Sequence, residues 1–227
     1  MRMLGGVGSF CIAEDGFEIV AALVGEDERR SLIDAVGDVE VAGRRNMLAI
    51  GAVAEFAHSQ RLIELVRSHT GGEPRAVRAI WFNKSPEANW LVAWHQDLAI
   101  AVRKRVEAPG FGGWSVKEGV PHVQPPAEVL ERMLTVRVHL DDADAENGAL
   151  RVIGGIHLAG RLDAEQIEAA RRERAETICT ARAGDALLMR PLLLHASGRS
   201  NSDRPRRVLH LEYAAMALPH GLRWQAE

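Results

Sequence analysis

The chain has 227 residues, 47% hydrophobic and 26% charged, with a formal net charge of −3. That balance predicts one well-packed domain over 1–227 and excludes a disordered chain. The basic clusters Arg171 to Arg174 and Arg204 to Arg207 are short and interrupted, which argues against a nucleic-acid partner.

From the N-terminus, the apolar run after Arg2 meets Glu14 and Asp15, too soon for the core of a signal peptide. No stretch approaches a membrane span. Cys11 and Cys179 are too few for a disulfide framework and lack metal-site spacing. They read as small buried apolar residues, and a reducing cytoplasm is the expected location.

Residues 1–75 read as helical. Glu26 to Val36 is a short polar-faced helix ending near Gly37, and Glu55 to Ser68 is a second that stops at Gly71-Gly72. A strand is predicted from Val77 to Asn83, and another within Trp90 to His95. Met133 to Leu140 alternates strictly: Leu134, Val136, Val138 and Leu140 share one face, while Thr135, Arg137 and His139 share the other. Asn147-Gly148 is a turn before a strand at Ala149 to Ile153. Asp163 to Ala175, with an acidic start and a basic end, reads as an inserted helix. Gly184-Asp185 turns into Ala186 to His195, where Pro191 implies an irregular or edge position. Val208 to Ala214 closes the series. The class is therefore α+β, mainly β, with a strand-rich core over about 77–215. The polar face of Met133–Leu140 favours a barrel with a wet interior over a sandwich.

The chemistry sits in His95-Gln96-Asp97 and, far downstream, His195. Residues two apart on an extended segment project to one side, so His95 and Asp97 can reach one ion, with His195 arriving from a distant strand. Two imidazoles and one carboxylate are the facial set that holds non-haem Fe(II) with three positions open, enough for a chelating keto acid and O2. Arg206 shares strand parity with His210 and would point inward. An inward Arg requires an anion, and the distal carboxylate of 2-oxoglutarate supplies one. Ser197 shares parity with His195 and can donate to the same carboxylate, and Thr135 is an inward hydroxyl. His122, His139, His157 and His210 read as hydrogen-bonded core or surface histidines, with His122 and His157 in loops.

These motifs resemble the phytanoyl-CoA dioxygenase (PhyH) family of Fe(II)/2-oxoglutarate oxygenases, which includes the ectoine hydroxylases. The matching stretches are Trp94-His95-Gln96-Asp97, Leu140-Asp141-Asp142 with Glu146-Asn147-Gly148-Ala149-Leu150, Gly184-Asp185, and His195 through Ser197-Gly198 and Asn201-Ser202 to Arg206. The resemblance covers about Ile80 to Tyr213. It implies a double-stranded β-helix, a jelly-roll or cupin-like barrel, with N-terminal and inserted helices on its outer sheet. It also implies Fe(II) on His95, Asp97 and His195, and 2-oxoglutarate held by Arg206, Ser197 and Thr135. Trp114 is similar to an aromatic in the loop after the first two ligands, near co-substrate and substrate, and its glycine-rich surroundings suggest a mobile lid. A small residue in place of Asp97 would open a halide position, so its presence favours hydroxylation. One departure stands out: Gly154-Gly155-Ile156-His157 replaces the family's Pro-Gly-Ser-His.

The expected activity is an Fe(II)- and 2-oxoglutarate-dependent dioxygenase that hydroxylates an unactivated C–H of a small metabolite, releasing succinate and CO2. The competing readings are a cupin-like metal-binding protein, which absence of tight Fe(II) or 2-oxoglutarate binding would favour, and a metalloenzyme that uses no keto acid, which gives Arg206 and Ser197 no task. Nothing in the sequence bears on oligomeric state.

Overall fold

The computed structural model describes residues 2–3, 10–39, 41–84 and 89–227, with side chains from Phe10 onward. The N-terminal apolar run weighed above falls largely outside those residues.

Helix Glu26–Val36 forms where the pattern places it and closes at Gly37, whose φ is 69°. The second predicted helix is two: Gly51–Ala57 and Gln60–Thr70. Between them Ser59 is extended, with ψ 144°, and His58 Nδ1 bonds the Ala54 carbonyl at 2.9 Å. The bend lets Val53 and Phe56 from one helix and Leu62 and Val66 from the other enter the same core. The inserted helix, Ala164–Glu173, is held at its start by a capping box. The Asp163 carboxylate accepts from the Gln166 N–H at 2.8 Å, and the Gln166 side chain accepts from the Asp163 N–H at 2.9 Å. It packs with Ile153, Ile156 and Cys179 rather than with the N-terminal helices.

Two sheets face each other across the interior. The six-stranded sheet runs Phe17–Val20, Ala186–Met189, Met133–His139, Arg206–Ala214, Arg75–Lys84, Gly43–Arg44. The five-stranded sheet runs Arg2–Met3, Thr177–Ile178, Leu150–Ile153, Leu194–Ser197, Val92–His95, antiparallel except for its first pair. A third, small sheet of Ile100–Ala101, Val120–Gln124 and Gly112–Lys117 flanks one end. This is the double-stranded β-helix.

The alternation in Met133–His139 does what its pattern requires. Leu134, Val136 and Val138 pack outward with Leu209, Leu211 and Tyr213 against the N-terminal helices. Arg137 faces the interior and lines a cavity. Pro191 breaks its segment into two strands that belong to different sheets, so the irregular position is found, at a crossover rather than at an edge. Seven strands were not legible in the pattern: Arg2–Met3, Phe17–Val20, Gly43–Arg44, Ile100–Ala101, Gly112–Lys117, Val120–Gln124 and Thr177–Ile178.

Candidate metal centre and co-substrate cavity

The ligand set assembles from one strand pair. Leu194–Ser197 runs antiparallel to Val92–His95 with His195 directly opposite His95. Asp97 follows two residues on, its N–H donating to the Pro191 carbonyl at 2.9 Å. Its Oδ1 lies 3.7 Å from His95 Nε2 and its Oδ2 3.7 Å from His195 Nε2. One donor atom from each of the three lies within 4.8 Å of the other two.

The tautomers suit a cation. Nδ1 of His95 donates to the Ala93 carbonyl and Nδ1 of His195 to the Leu193 carbonyl, each at 2.8 Å. That leaves both Nε2 lone pairs turned toward Asp97. Asp97 Oδ2 is buried and has no hydrogen-bond partner. Burial lowers the His195 pKa to about 4, so the ring is neutral, the form that binds metal. Burial works to raise the Asp97 pKa, but His195, His210, His95 and Arg78 outweigh it and hold the carboxyl well below the ordinary range. An unpartnered carboxylate between two free imidazole nitrogens fits a divalent ion of the non-haem iron type.

Gln96, between the first two ligands, is a positioning residue that the sequence reading passed over. Its amide donates to the Gly160 and Leu192 carbonyls at 2.8 and 2.7 Å and accepts from the Leu162 N–H at 2.8 Å. It bolts the ligand segment to the inserted loop.

A cavity of about 430 Å³ opens over the ligands, lined by both sheets. Arg206 lies in its wall, 3% exposed, with Nε and Nη1 buried and unpartnered. Burial, then the Arg137 guanidinium, lowers its pKa to about 9, so it remains a cation at neutral pH. Ser197 lines the same wall and donates to the Gly148 carbonyl at 2.8 Å. Lys84, directly opposite Arg206 in the sheet, donates to Ser197 Oγ at 2.9 Å and to the Gly198 carbonyl. The Asn147-Gly148 turn is seated against this group: a Cβ on Gly148 would lie 2.7 Å from the Gly198 carbonyl oxygen and 3.1 Å from Lys84 Nζ. Lys84 ends a strand with Ile80 and Phe82 on the same face, and that parity is the signal that could have singled it out.

Four other expectations shift. Thr135 is inward and buried, but it pairs with Glu212 and borders a small pocket beside Asp97 and Arg78, at the far end of its strand from the level of Arg206. Trp114 lies in a strand, not a glycine-rich loop, and packs against the apolar cluster that contains Phe111, Val123 and Trp224, with Arg105 5.4 Å from its ring. Residues three apart on a strand take opposite faces; Lys117 faces the cavity and Trp114 is not among its lining residues. His122 and His157 are buried in a strand and a 3-10 helix rather than in loops. His157 packs against Gly16, so the departing Gly154–His157 stretch is not part of the cavity lining.

His210 behaves as the hydrogen-bonded core histidine expected. Arg137 Nη1 donates to its Nδ1 at 2.8 Å, and its Nε2 faces Glu212 at 3.2 Å, which in turn pairs with Arg78. His139 does not: both its ring nitrogens are buried without partners, and burial, then Arg137 and Arg206, lowers its pKa to about 3.

A β-helix carrying two histidines and an aspartate at its mouth, with a buried arginine deeper in, defines the non-haem iron, 2-oxoglutarate-dependent oxygenases as a class. The profile of the phytanoyl-CoA dioxygenase (PhyH) family matches residues 14–208, and the chain belongs to that family. A methylphosphonate hydroxylase from Gimesia maris is 30% identical over 127 residues, 53% of this chain and 47% of that protein. The chain thus spans about half the length of that curated relative. Among solved structures, AviO1 from Streptomyces viridochromogenes Tue57 superposes with a TM-score of 0.67 at 18% identity, over 92% of this chain and 93% of that one. EctD from S. alaskensis, solved with 2-oxoglutarate and 5-hydroxyectoine, gives 0.68 at 21% identity, over 90% and 73%. At these identities the likeness is one of fold.

Proposed function

We propose that this protein is an Fe(II)- and 2-oxoglutarate-dependent dioxygenase that hydroxylates an unactivated C–H bond of a small metabolite. In the overall reaction one oxygen atom of O2 enters the product alcohol and the other enters succinate, with release of CO2. Ferrous iron, when bound, supplies the oxygen activation. The chain's own part is to hold and orient.

His95, Asp97 and His195 would hold the metal on one face. Arg206 and Ser197, joined by Lys84, would hold the distal carboxylate of 2-oxoglutarate, and Thr135 borders only the metal end. The single observation that carries this reading is the pairing of two unsatisfied groups in one cavity: an orphaned carboxylate between two free imidazole nitrogens, and an orphaned guanidinium deeper in the same wall. A cupin that had lost its metal, or a metalloenzyme without a keto acid, leaves the buried Arg206 uncompensated.

The substrate is small. About 430 Å³ is toward the lower end of the roughly 300–1,000 Å³ typical of ligand sites, and the keto acid must share it. The methylphosphonate hydroxylase relative offers one concrete compound to try. None of the described helices is long and apolar enough to cross a membrane, and the free Cys11 and Cys179 suit the cytoplasmic location we propose. The decisive assay supplies Fe(II), ascorbate and 2-oxoglutarate and follows succinate. Formation stimulated by a small metabolite supports the reading; failure to bind 2-oxoglutarate with metal present refutes it.

A further inference from the structure

Five cationic side chains line the cavity, Arg45, Arg78, Lys117, Arg137 and Arg206, against one carboxylate, Asp97. On the oxygenase reading, on which this inference rests, the filled centre is balanced: a ferrous ion, Asp97, a keto-acid dianion and Arg206 together carry no net charge. Arg78 is matched by Glu212, and Arg45 by Glu118 at 2.6 Å.

Arg137 and Lys117 are left over. Arg137 is 6% exposed, donates to the His210 ring and stacks 5.4 Å from the Phe82 ring centroid, and its Nε is buried without a partner. No carboxylate among the described residues pairs with it. Lys117 reaches the cavity from the lip strand Gly112–Lys117 and has no ion-pair partner among the described residues. Lys84, behind Ser197, deepens the imbalance. Uncompensated cations in a partly enclosed cavity are costly and concentrate anions there. Lys117 is exposed at the lip; partial burial, then Arg78 and Arg45, lowers its pKa, with Asp97 and Glu212 opposing the shift.

We infer that the substrate is a small organic oxyanion, a phosphonate, sulfonate or carboxylate, whose charged head is received by Lys117 at the cavity lip in the positive field that Arg137 maintains from the floor. Lys117 is then a specificity-determining residue. It comes from the small flanking sheet, outside the two sheets that hold the metal and keto-acid groups.

The test is anaerobic isothermal titration of the Fe(II) protein, first with 2-oxoglutarate and then, at saturation, with ethylphosphonate, ethanesulfonate, propionate and the uncharged diethyl ethylphosphonate. Prior saturation keeps the probes off Arg206. At least one oxyanion should bind, more weakly at high salt, and the ester should not. Lys117→Gln should weaken that oxyanion at least about tenfold and Lys117→Arg should restore most of it, while the 2-oxoglutarate affinity of both stays within about twofold of wild type. The inference is overturned if no oxyanion binds the saturated protein, if the ester binds as well as the anions, or if Lys117→Gln leaves oxyanion binding unchanged. Failure of the first titration overturns the oxygenase reading itself, and this inference with it; uptake of 2-oxoglutarate followed by indifference to every oxyanion overturns this inference alone.

Discussion

His95 and His195 face each other in register across two paired strands, their ring centroids 4.3 Å apart. A hundred residues of chain separate them, yet one hydrogen-bonded strand pair sets their spacing. A metal site built this way inherits the rigidity of the sheet.

That rigidity makes the second imidazole indispensable. His195→Ala should lower Fe(II) affinity by more than about 100-fold, beyond the range seen when only a supporting contact is lost. Equilibrium dialysis with iron quantification checks it, and succinate formation should vanish in parallel. Retained iron with intact turnover would refute the ligand assignment.

Arg206 is the predicted anchor of the distal carboxylate. Arg206→Gln removes the charge and keeps much of the volume. Losing one side of a buried charged pair costs at least about 2 kcal/mol, so the KM for 2-oxoglutarate should rise by about 30-fold or more. The variant should fold well, because it removes a buried cation that no carboxylate among the described residues balances.

Lys84 should make co-substrate binding depend on pH. Burial, then Arg206 and Arg137, lowers its pKa to about 7. A bound carboxylate favours the charged form and so raises that pKa. The affinity for 2-oxoglutarate is therefore greatest below pH 7 and weakens as pH climbs above it, by at most about tenfold per unit, until the raised pKa is passed. Of the neighbouring groups, His139, with a pKa of about 3, is neutral throughout this window, and Arg206 and Arg137, at about 9 and about 10, stay mainly charged through it. Lys84→Met should flatten the dependence between pH 6.5 and 8.5. An equally steep profile in that variant would place the titration elsewhere.

Gly184 tests the scaffold apart from the chemistry. Its φ is 96°, and a Cβ there would lie 2.4 Å from the Val24 carbonyl oxygen. Gly184→Ala combines backbone strain with a clash against main chain, together worth about 2–4 kcal/mol. A calorimetric Tm about 5–15 °C lower is expected. A Tm within a degree of wild type would show that the turn relaxes freely.

The amino-acid sequence by itself determined the ligand identities, the inward parity of Arg206 and Ser197, and the two-faced Met133–His139 strand. These depend on residue type and on spacing along one element, where strand geometry alone sets direction. It carried less about elements whose partners lie far away. The bend at His58-Ser59 and the strand containing Trp114 arise from packing against a curved sheet and from pairing with Val120–Gln124, neither of which a local pattern encodes. Only the tertiary structure decided that Thr135 sits at the Glu212 level rather than near Arg206, that Lys84 joins Ser197, and that Arg137 and Lys117 share a cavity without a matching acid among the described residues. Cross-strand register brings such residues together or holds them apart, and register is a property of distant segments meeting.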